Sequence, residues 1–271
     1  MSENALATPR CVLPAVPHPT FFSALRAEVL KSAHGAPVRL AVALALPFGL
    51  LGGIVLPLAG WPISYSAWNY YYMLLLPVTV SLASATVAGY DARLSGHVPL
   101  SCGVPLARTW VAKALWCLGL SLLGSLVTCA LYTVGALLSP AGAASVASML
   151  ATALVSTVAT SWMVPVTLFL VTRAGMLAGV LVPLGVQLVA GFAWGSTSLW
   201  PLIPPVAAAV LPTAFLPVLP SGEPMDAATG ALAATLGRLT PDHALALVVC
   251  VAATVALTAL SALWFSRSEE L

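Results

Sequence analysis

Residues 114–138 read ALWCLGLSLLGSLVTCALYTVGALL, and no charged side chain interrupts them. This stretch belongs to a longer gap between Lys113 and Arg173 that contains no Asp, Glu, Lys or Arg. A helix needs about 20 mostly apolar residues to cross the hydrocarbon core of a bilayer, so the gap has room for two crossings. Two further uncharged gaps, 40–90 and 174–222, have room for two more crossings and for at least one. The sequence therefore predicts an all-α membrane protein.

The composition of the chain excludes an extensive water-facing surface. Of the 271 residues, 60% are apolar and only 7% are charged, whereas a soluble domain carries roughly 25% charged residues. The basic residues are scattered and the net charge is only +2, so no nucleic-acid partner is indicated. The five cysteines lack CxxC spacing, which favours small buried apolar side chains over a metal site.

The apolar runs predict about six transmembrane helices in one transmembrane domain, residues 37–271. Their approximate bounds are 38–59, 69–90, 112–137, 145–172, 175–195 and 243–265. Pro47 and three nearby glycines allow the first span to bend or to pack closely against a neighbour. A long polar leader precedes this span, so we expect a retained crossing rather than a cleaved signal peptide. Residues 1–19 contain four prolines and predict a flexible cytoplasmic tail.

The segment between spans five and six, residues 196–242, is apolar but contains eight prolines. This proline density rules out one continuous helix. Yet residues 200–219, WPLIPPVAAAVLPTAFLPVL, are too apolar for a free loop. We expect a broken, partly re-entrant segment, made of short helices that dip into the outer leaflet and are buried against the bundle. Two additional full spans are the alternative.

An amphipathic helix is predicted before the first span, within residues 20–36. Thr20 can cap it, Gly35 can end it, and Pro37 forbids its continuation. The residues assigned to this helix are Phe21, Phe22, Leu25, Arg26, Glu28, Val29 and Lys31. The two phenylalanines share one face with the Leu and Val, and the Arg and Lys lie outside that stripe. This pattern suits the membrane interface; an ordinary solvated helix is the alternative.

The distribution of Lys and Arg predicts the orientation of the chain. With both termini in the cytoplasm, nine of the ten basic residues lie inside and only Arg238 lies outside, in agreement with the positive-inside rule. Several aromatic residues then fall at the outer interface, where aromatic belts are common. These are Trp61, Trp68, Tyr70, Tyr71, Tyr72, Trp194 and Trp200.

The chain lacks the motifs of a protein that supplies its own energy for transport. It has no GxxxxGK[ST] phosphate loop and no HExxH motif, and no ionisable side chain lies at mid-depth in the predicted spans. Ion-coupled carriers usually need such groups. Asp242 and His243 begin the last span, where a helix cap explains them better than a catalytic dyad. We therefore expect energy for any transport to come from a partner.

Three segments, taken together, resemble the permease subunits of type-2 ABC exporters, and most of all the lantibiotic-immunity permeases. FFSALRAEVLKS at 21–32 is similar to the family's amphipathic opening, with an acid and a Lys before span one. WNYYYMLLLPVTVSLASATVAGYD at 68–91 resembles its second span, from an aromatic cluster to an acid at the cytoplasmic exit. VPLARTWVAKAL at 104–115 resembles its Pro-x5-Trp-x-x-Lys entry into span three. Beyond residue 115 only the span layout agrees.

The resemblance implies a division of labour between subunits. This chain would be the permease, not an enzyme, and would bind no cofactor. A separate ABC ATP-binding subunit would hold ATP and Mg, and a second permease subunit, like or unlike, would complete the pair. The coupling loop seated on the ATPase would contain Asp91, Arg93, His97, Pro99 and Arg108. The family often has Glu at the first of these positions and a more charged loop.

The implied cargo is an amphipathic peptide of the lantibiotic kind, or a hydrophobic compound, exported from a bacterial plasma membrane for self-protection. On the residues alone, the Gly89–Lys113 segment is either a docking element or a solvated loop with basic anchors. Two other classes of function also remain open. One is a stand-alone membrane-embedded enzyme or secondary carrier, and the other is a structural or assembly protein that moves nothing.

Overall fold

The computed structural model describes residues 20–93, 105–140, 143–193, 199–225 and 238–267. Within these ranges the chain is helical apart from turns, short 3-10 segments and one isolated β-bridge between Val218 and Pro224. The helices are α1 (Phe21–Ser32), α2 (Ala36–Leu58), α3 (Tyr65–Tyr70, continued by Tyr71–Leu75 and Leu76–Arg93), α4 (Leu106–Leu138), α5 (Val146–Thr160), α6 (Met163–Ala174), α7 (Met176–Phe192), α8 (Pro204–Val210) and α9 (Pro241–Arg267). The all-α prediction is confirmed.

Within the described residues, five segments are long and apolar enough to cross a membrane. They are Ala36–Leu58, Tyr65–Tyr90, Leu106–Leu138, Val146–Ala174 and Pro241–Arg267. They correspond to the predicted spans one to four and six, and α5 and α6 together form the fourth. The helix at the position of predicted span five, α7, has 17 residues. Its length is about 26 Å, slightly less than the roughly 30 Å hydrocarbon core. A sixth crossing therefore stays a prediction.

Large apolar side chains cover the outside of the bundle. On α9, Val248, Val255 and Leu260 are all more than 60% exposed. On α7, Leu177 and Val189 are more than 70% exposed. A water-soluble monomer rarely presents such extended apolar surface, whereas a surface that contacts lipid tails is expected to look like this. The outside of the bundle thus matches the low charge content of the sequence.

Helix α2 contains a π turn and touches α4 through glycines. A π turn at Leu51–Val55 follows Pro47, the proline inside the helix. A Cβ added at Gly135 of α4 would collide with the carbonyl of Gly53, and one added at Gly53 would lie 3.0 Å from the Leu131 backbone. Small residues allow this close backbone approach between membrane helices. The predicted close packing of span one is observed.

Helix α4 is the central element of the bundle. It has 33 residues and a length of about 50 Å, so it exceeds the hydrocarbon core by several turns. It packs against α1, α2, α3, α5 and α9. Its first turn, which begins at Leu106, includes Arg108, the last residue of the predicted coupling loop.

The described part of the proline-rich segment is broken and buried, as the sequence predicts. A 3-10 turn at Trp200–Leu202 leads into α8, and a second 3-10 turn, Leu211–Ala214, follows it. The stretch from Val206 to Thr213 is buried, and α8 packs against α5, α7 and α9. Its depth in a bilayer stays a prediction, and residues 226–237 lie outside the described chain.

Three of the aromatics predicted for the outer interface lie inside the bundle instead. Trp68, Tyr71 and Tyr72 are at most 1% exposed, whereas Trp61 is 65% exposed. The Trp68 ring packs on Tyr132 of α4, with ring centroids 4.5 Å apart. These side chains face the bundle because α3 is surrounded by α2, α4, α6 and α7. Their depth in the bilayer stays a prediction, and the belt pattern does not specify the face of the helix on which they lie.

Candidate functional site

A small and partly polar face attaches α1 to the beginning of α4. The buried residues of α1 are Ala24, Glu28 and Ser32, spaced four apart along one side of the helix. The Lys31 ammonium lies 2.7 Å from a Glu28 carboxylate oxygen. Ser32 Oγ accepts a hydrogen bond from Trp116 Nε1 of α4 at 2.5 Å and donates one to the Glu28 carbonyl at 3.0 Å. The amphipathic helix is therefore fixed to α4 by specific polar contacts.

A buried cation from the other helix joins this contact. Lys113 of α4 is only 4% exposed, and Glu28 is 2% exposed. Lys113 interacts electrostatically with both Glu28 and Lys31. A buried charge is costly unless a counter-charge and hydrogen bonds compensate it. We call Glu28, Lys31 and Lys113 the charged cluster; it unites residues of two segments that resemble the permease family.

Trp110 ties the same end of α4 to α9. Its side chain is 1% exposed, and Nε1 donates a hydrogen bond to Ser261 Oγ at 2.8 Å. Its ring also packs on Phe265, with ring centroids 4.7 Å apart. The first turns of α4 therefore contact α1 on one side and α9 on another. A displacement of this end of α4 would move both helices.

The predicted coupling residues lie on either side of an undescribed segment. Asp91 and Arg93 belong to the last turn of α3. Arg108 lies in the first turn of α4 and is exposed. His97 and Pro99 fall outside the described residues. The exposed Arg108 and the buried Lys113 share the same helix end, so a contact at the first would act on an element that holds the second.

The bundle-facing side of α1 differs from its apolar stripe. Phe21, Leu25 and Val29 are half-buried, whereas Phe22 is 78% exposed. Arg26 is also exposed. Small side chains and a buried ion pair make the protein contact, and this leaves Phe22 free to enter the lipid interface. Sequence periodicity finds an apolar stripe but cannot distinguish a protein neighbour from lipid.

Two buried amides, which sequence reasoning missed, anchor the broken segment. Gln187 of α7 is 2% exposed; its Oε1 accepts from Trp162 Nε1 at 3.1 Å, and its Nε2 donates to the Pro205 carbonyl at 3.0 Å. Asn69 of α3 is 1% exposed, and its Nδ2 donates to the Leu219 carbonyl at 3.0 Å. A buried amide is costly without partners. In the sequence, a single Asn or Gln inside an uncharged apolar span is the pattern that could have indicated each of these two positions.

An open pocket lies beside this anchored segment, at the end of the bundle opposite the charged cluster. Its volume is about 450 Å³, and its lining includes Leu56, Trp61, Tyr65, Pro217 and Pro224. The walls thus come from the α2–α3 connection and from the turn that carries the isolated β-bridge. The pocket can receive an apolar or aromatic group.

The described residues contain no group of three His, Cys, Asp or Glu side chains placed to hold a metal ion. His243 Nδ1 lies 2.7 Å from Thr240 Oγ1 and 3.3 Å from its backbone nitrogen. These contacts close the start of α9, which is the capping role predicted for this position. Its ring also packs edge-on against Trp200, at 5.1 Å between centroids.

The fold and these contacts define a helical, membrane-embedded protein whose N-terminal amphipathic helix is attached to the longest described span. No family model, no curated protein and no solved structure matches the chain. The likeness to ABC permeases therefore rests on the three sequence segments quoted above.

Proposed function

We propose that this chain is the membrane-spanning permease subunit of an ATP-driven exporter of the type-2 ABC kind. The observation that carries the proposal is the charged cluster. Glu28 and Lys31 precede the first span, and Lys113 begins the third. These residues belong to the segments that resemble the permease family. Their proximity in the fold gives a physical reason for charged residues in both segments.

The route from a partner ATPase to the membrane begins at the loop between α3 and α4. A partner would bind this loop from Asp91 onward, with Arg108 as an exposed contact on α4. A push on the start of α4 would reach α1 through the charged cluster. It would reach α9 through the Trp110–Ser261 hydrogen bond. A movement of the start of α4 would therefore move α1 and α9 together.

The same helix also reaches the outer end of the bundle. Near its far end α4 meets α2 at the Gly53–Gly135 contact, and α2 leads into the open outer pocket at Trp61. The segment held by Asn69 and Gln187 would close the outer side. We propose six crossings with α7 as the fifth, a partly re-entrant α8 region, and both termini in the cytoplasm. An amphipathic peptide or a hydrophobic compound could enter from the lipid, so a charged channel is not required.

The proposal is tested first by purification from native membranes and identification of the bound subunits. We expect a small ABC ATP-binding protein and a second permease chain. A stand-alone carrier or enzyme would purify without an ATPase and would act in liposomes without nucleotide. Substrate movement driven by an ion gradient alone would contradict the proposal.

The second test addresses the coupling contact. Arg108→Glu should uncouple the complex, so that cargo stimulation of ATP hydrolysis in liposomes is lost or at least fivefold weaker. Arg39→Glu is the matched control, because Arg39 is also an exposed basic residue near a helix start but lies outside the loop. An unchanged stimulation in Arg108→Glu, or an equal loss in Arg39→Glu, would contradict docking at this loop.

A further inference from the structure

An apolar groove lies on the outside of the bundle between α6 and α9, away from the charged cluster and the outer pocket. Its volume is about 470 Å³, and its lining includes Pro165, Phe169, Leu257, Leu260 and Trp264. Phe169 and Trp264 meet edge to face across it, with ring centroids 4.8 Å apart. The groove is open to the outside of the bundle, and its walls are almost wholly apolar. It therefore has the character of a channel for a hydrocarbon chain.

A basic residue stands one turn beyond the groove on each of the two helices. Arg173 follows Phe169 by four residues on α6, and Arg267 follows Trp264 by three residues and Leu260 by seven on α9. Residues three, four and seven apart share one face of a helix, so both arginines lie on the groove side. Both are exposed, in the last turns of their helices.

The spacing along α9 matches the depth of one lipid leaflet. From Leu257 to Arg267 the helix rises about 15 Å, which is half of the roughly 30 Å hydrocarbon core. When Arg267 lies at the headgroup level, Leu257 lies near the bilayer midplane. Trp264 then falls close to the interface, where Trp is favoured. A lipid standing in the groove would therefore place its phosphate between the two arginines.

We propose that this groove is a binding site for one anionic phospholipid. The acyl chain would lie along Phe169, Leu257 and Leu260, and the negatively charged headgroup would be held by Arg173 and Arg267. Guanidinium groups suit this role because they form paired hydrogen bonds to phosphate oxygens. The site needs neither ATP nor a second subunit, so it is independent of the proposed function.

The test is native mass spectrometry of the purified chain, titrated with phosphatidylglycerol and, separately, with phosphatidylcholine of the same acyl chains. We expect tighter binding of phosphatidylglycerol. In the double variant Arg173→Gln, Arg267→Gln its affinity should fall about tenfold or more, because each cation near a surface contributes substantially to anionic lipid binding. Arg39→Gln removes an exposed cation outside the groove and should change the affinity less than twofold.

Two further variants separate the two parts of the site. Leu260→Trp fills the groove at a side chain that is 64% exposed, so the fold should survive while binding of the lipid is lost. The sequence also places Glu269 and Glu270 beyond Arg267; changing both to Gln should strengthen binding of phosphatidylglycerol. Equal binding of the two lipids, full retention in the double arginine variant, or an equal loss in Arg39→Gln would overturn the proposal.

Discussion

At the scale of single residues, Glu28 holds an unusual position. It is an acid on an amphipathic helix, yet it is 2% exposed and lies against Lys31, with Lys113 within electrostatic reach. The Glu28 carboxylate therefore attracts two cations, Lys31 and Lys113. Removal of the acid should cost more than removal of Lys113, because it takes an attractive counter-charge away from both cations and leaves their mutual repulsion.

The first prediction tests this asymmetry by thermal unfolding in detergent. Glu28→Gln should lower the free energy of unfolding by about 2 kcal/mol, because the charged hydrogen bond to Lys31 and the attraction for Lys113 are both lost. Lys113→Met should cost less than Glu28→Gln, because Lys31 continues to neutralise the acid while the apolar side chain keeps the volume. Equal destabilisation of the two variants would show that Glu28 does not hold both cations.

At the scale of elements, the contact between α2 and α4 decides how the bundle closes. The Gly53 and Gly135 backbones touch, so no side chain fits at that crossing. Elsewhere on α4, Gly119 has only the Trp116 ring near its Cβ position, at 3.8 Å. Two glycines of one helix thus have opposite structural roles, and they provide a matched comparison.

The second prediction compares Gly135→Ala with Gly119→Ala. Alanine favours a helix by up to about 1 kcal/mol over glycine, so Gly119→Ala should be neutral or slightly stabilising. Gly135→Ala should instead destabilise the protein by about 1–3 kcal/mol, because its Cβ forces the two helices apart. Thermal unfolding of both variants measures the difference. A stabilising Gly135→Ala would mean that the helices do not meet at this point.

At the scale of the whole molecule, most basic residues of the described chain lie at one end of the bundle, with Arg238 as the exception. Lys113 lies beside α1, Trp110 beside Phe265, and Phe169 beside Trp264. The starts of α2 and α4 and the ends of α3, α6 and α9 therefore share one end. This end carries the positive charge that the positive-inside rule assigns to the cytoplasm.

The third prediction tests this topology with a membrane-impermeant maleimide on intact cells. A cysteine at Glu223, which is exposed, should be labelled from outside, and a cysteine at His97 only after the cells are opened. Cys11 and Cys102 are first replaced by serine; the other three native cysteines are buried. Labelling of both positions from the same side would contradict the proposed number of crossings.

The sequence by itself determined that this chain is helical, where its long spans lie, and that a capped amphipathic helix precedes them. These properties are local: each crossing must satisfy its own backbone hydrogen bonds in lipid, and about 20 apolar residues suffice to specify it. Two sequence segments also contained the members of the charged cluster, although nothing in either segment required them to meet.

Only the tertiary structure decided which sides of the helices face protein. It buried Trp68, turned the Ala24–Glu28–Ser32 face of α1 toward α4, and joined Gln187 to Pro205. The apolar pattern could not predict which residues face protein, because apolar side chains are equally favourable in lipid and in a protein interior. In a membrane the discriminating contacts come from small residues and paired polar groups, and their partners lie far away along the chain.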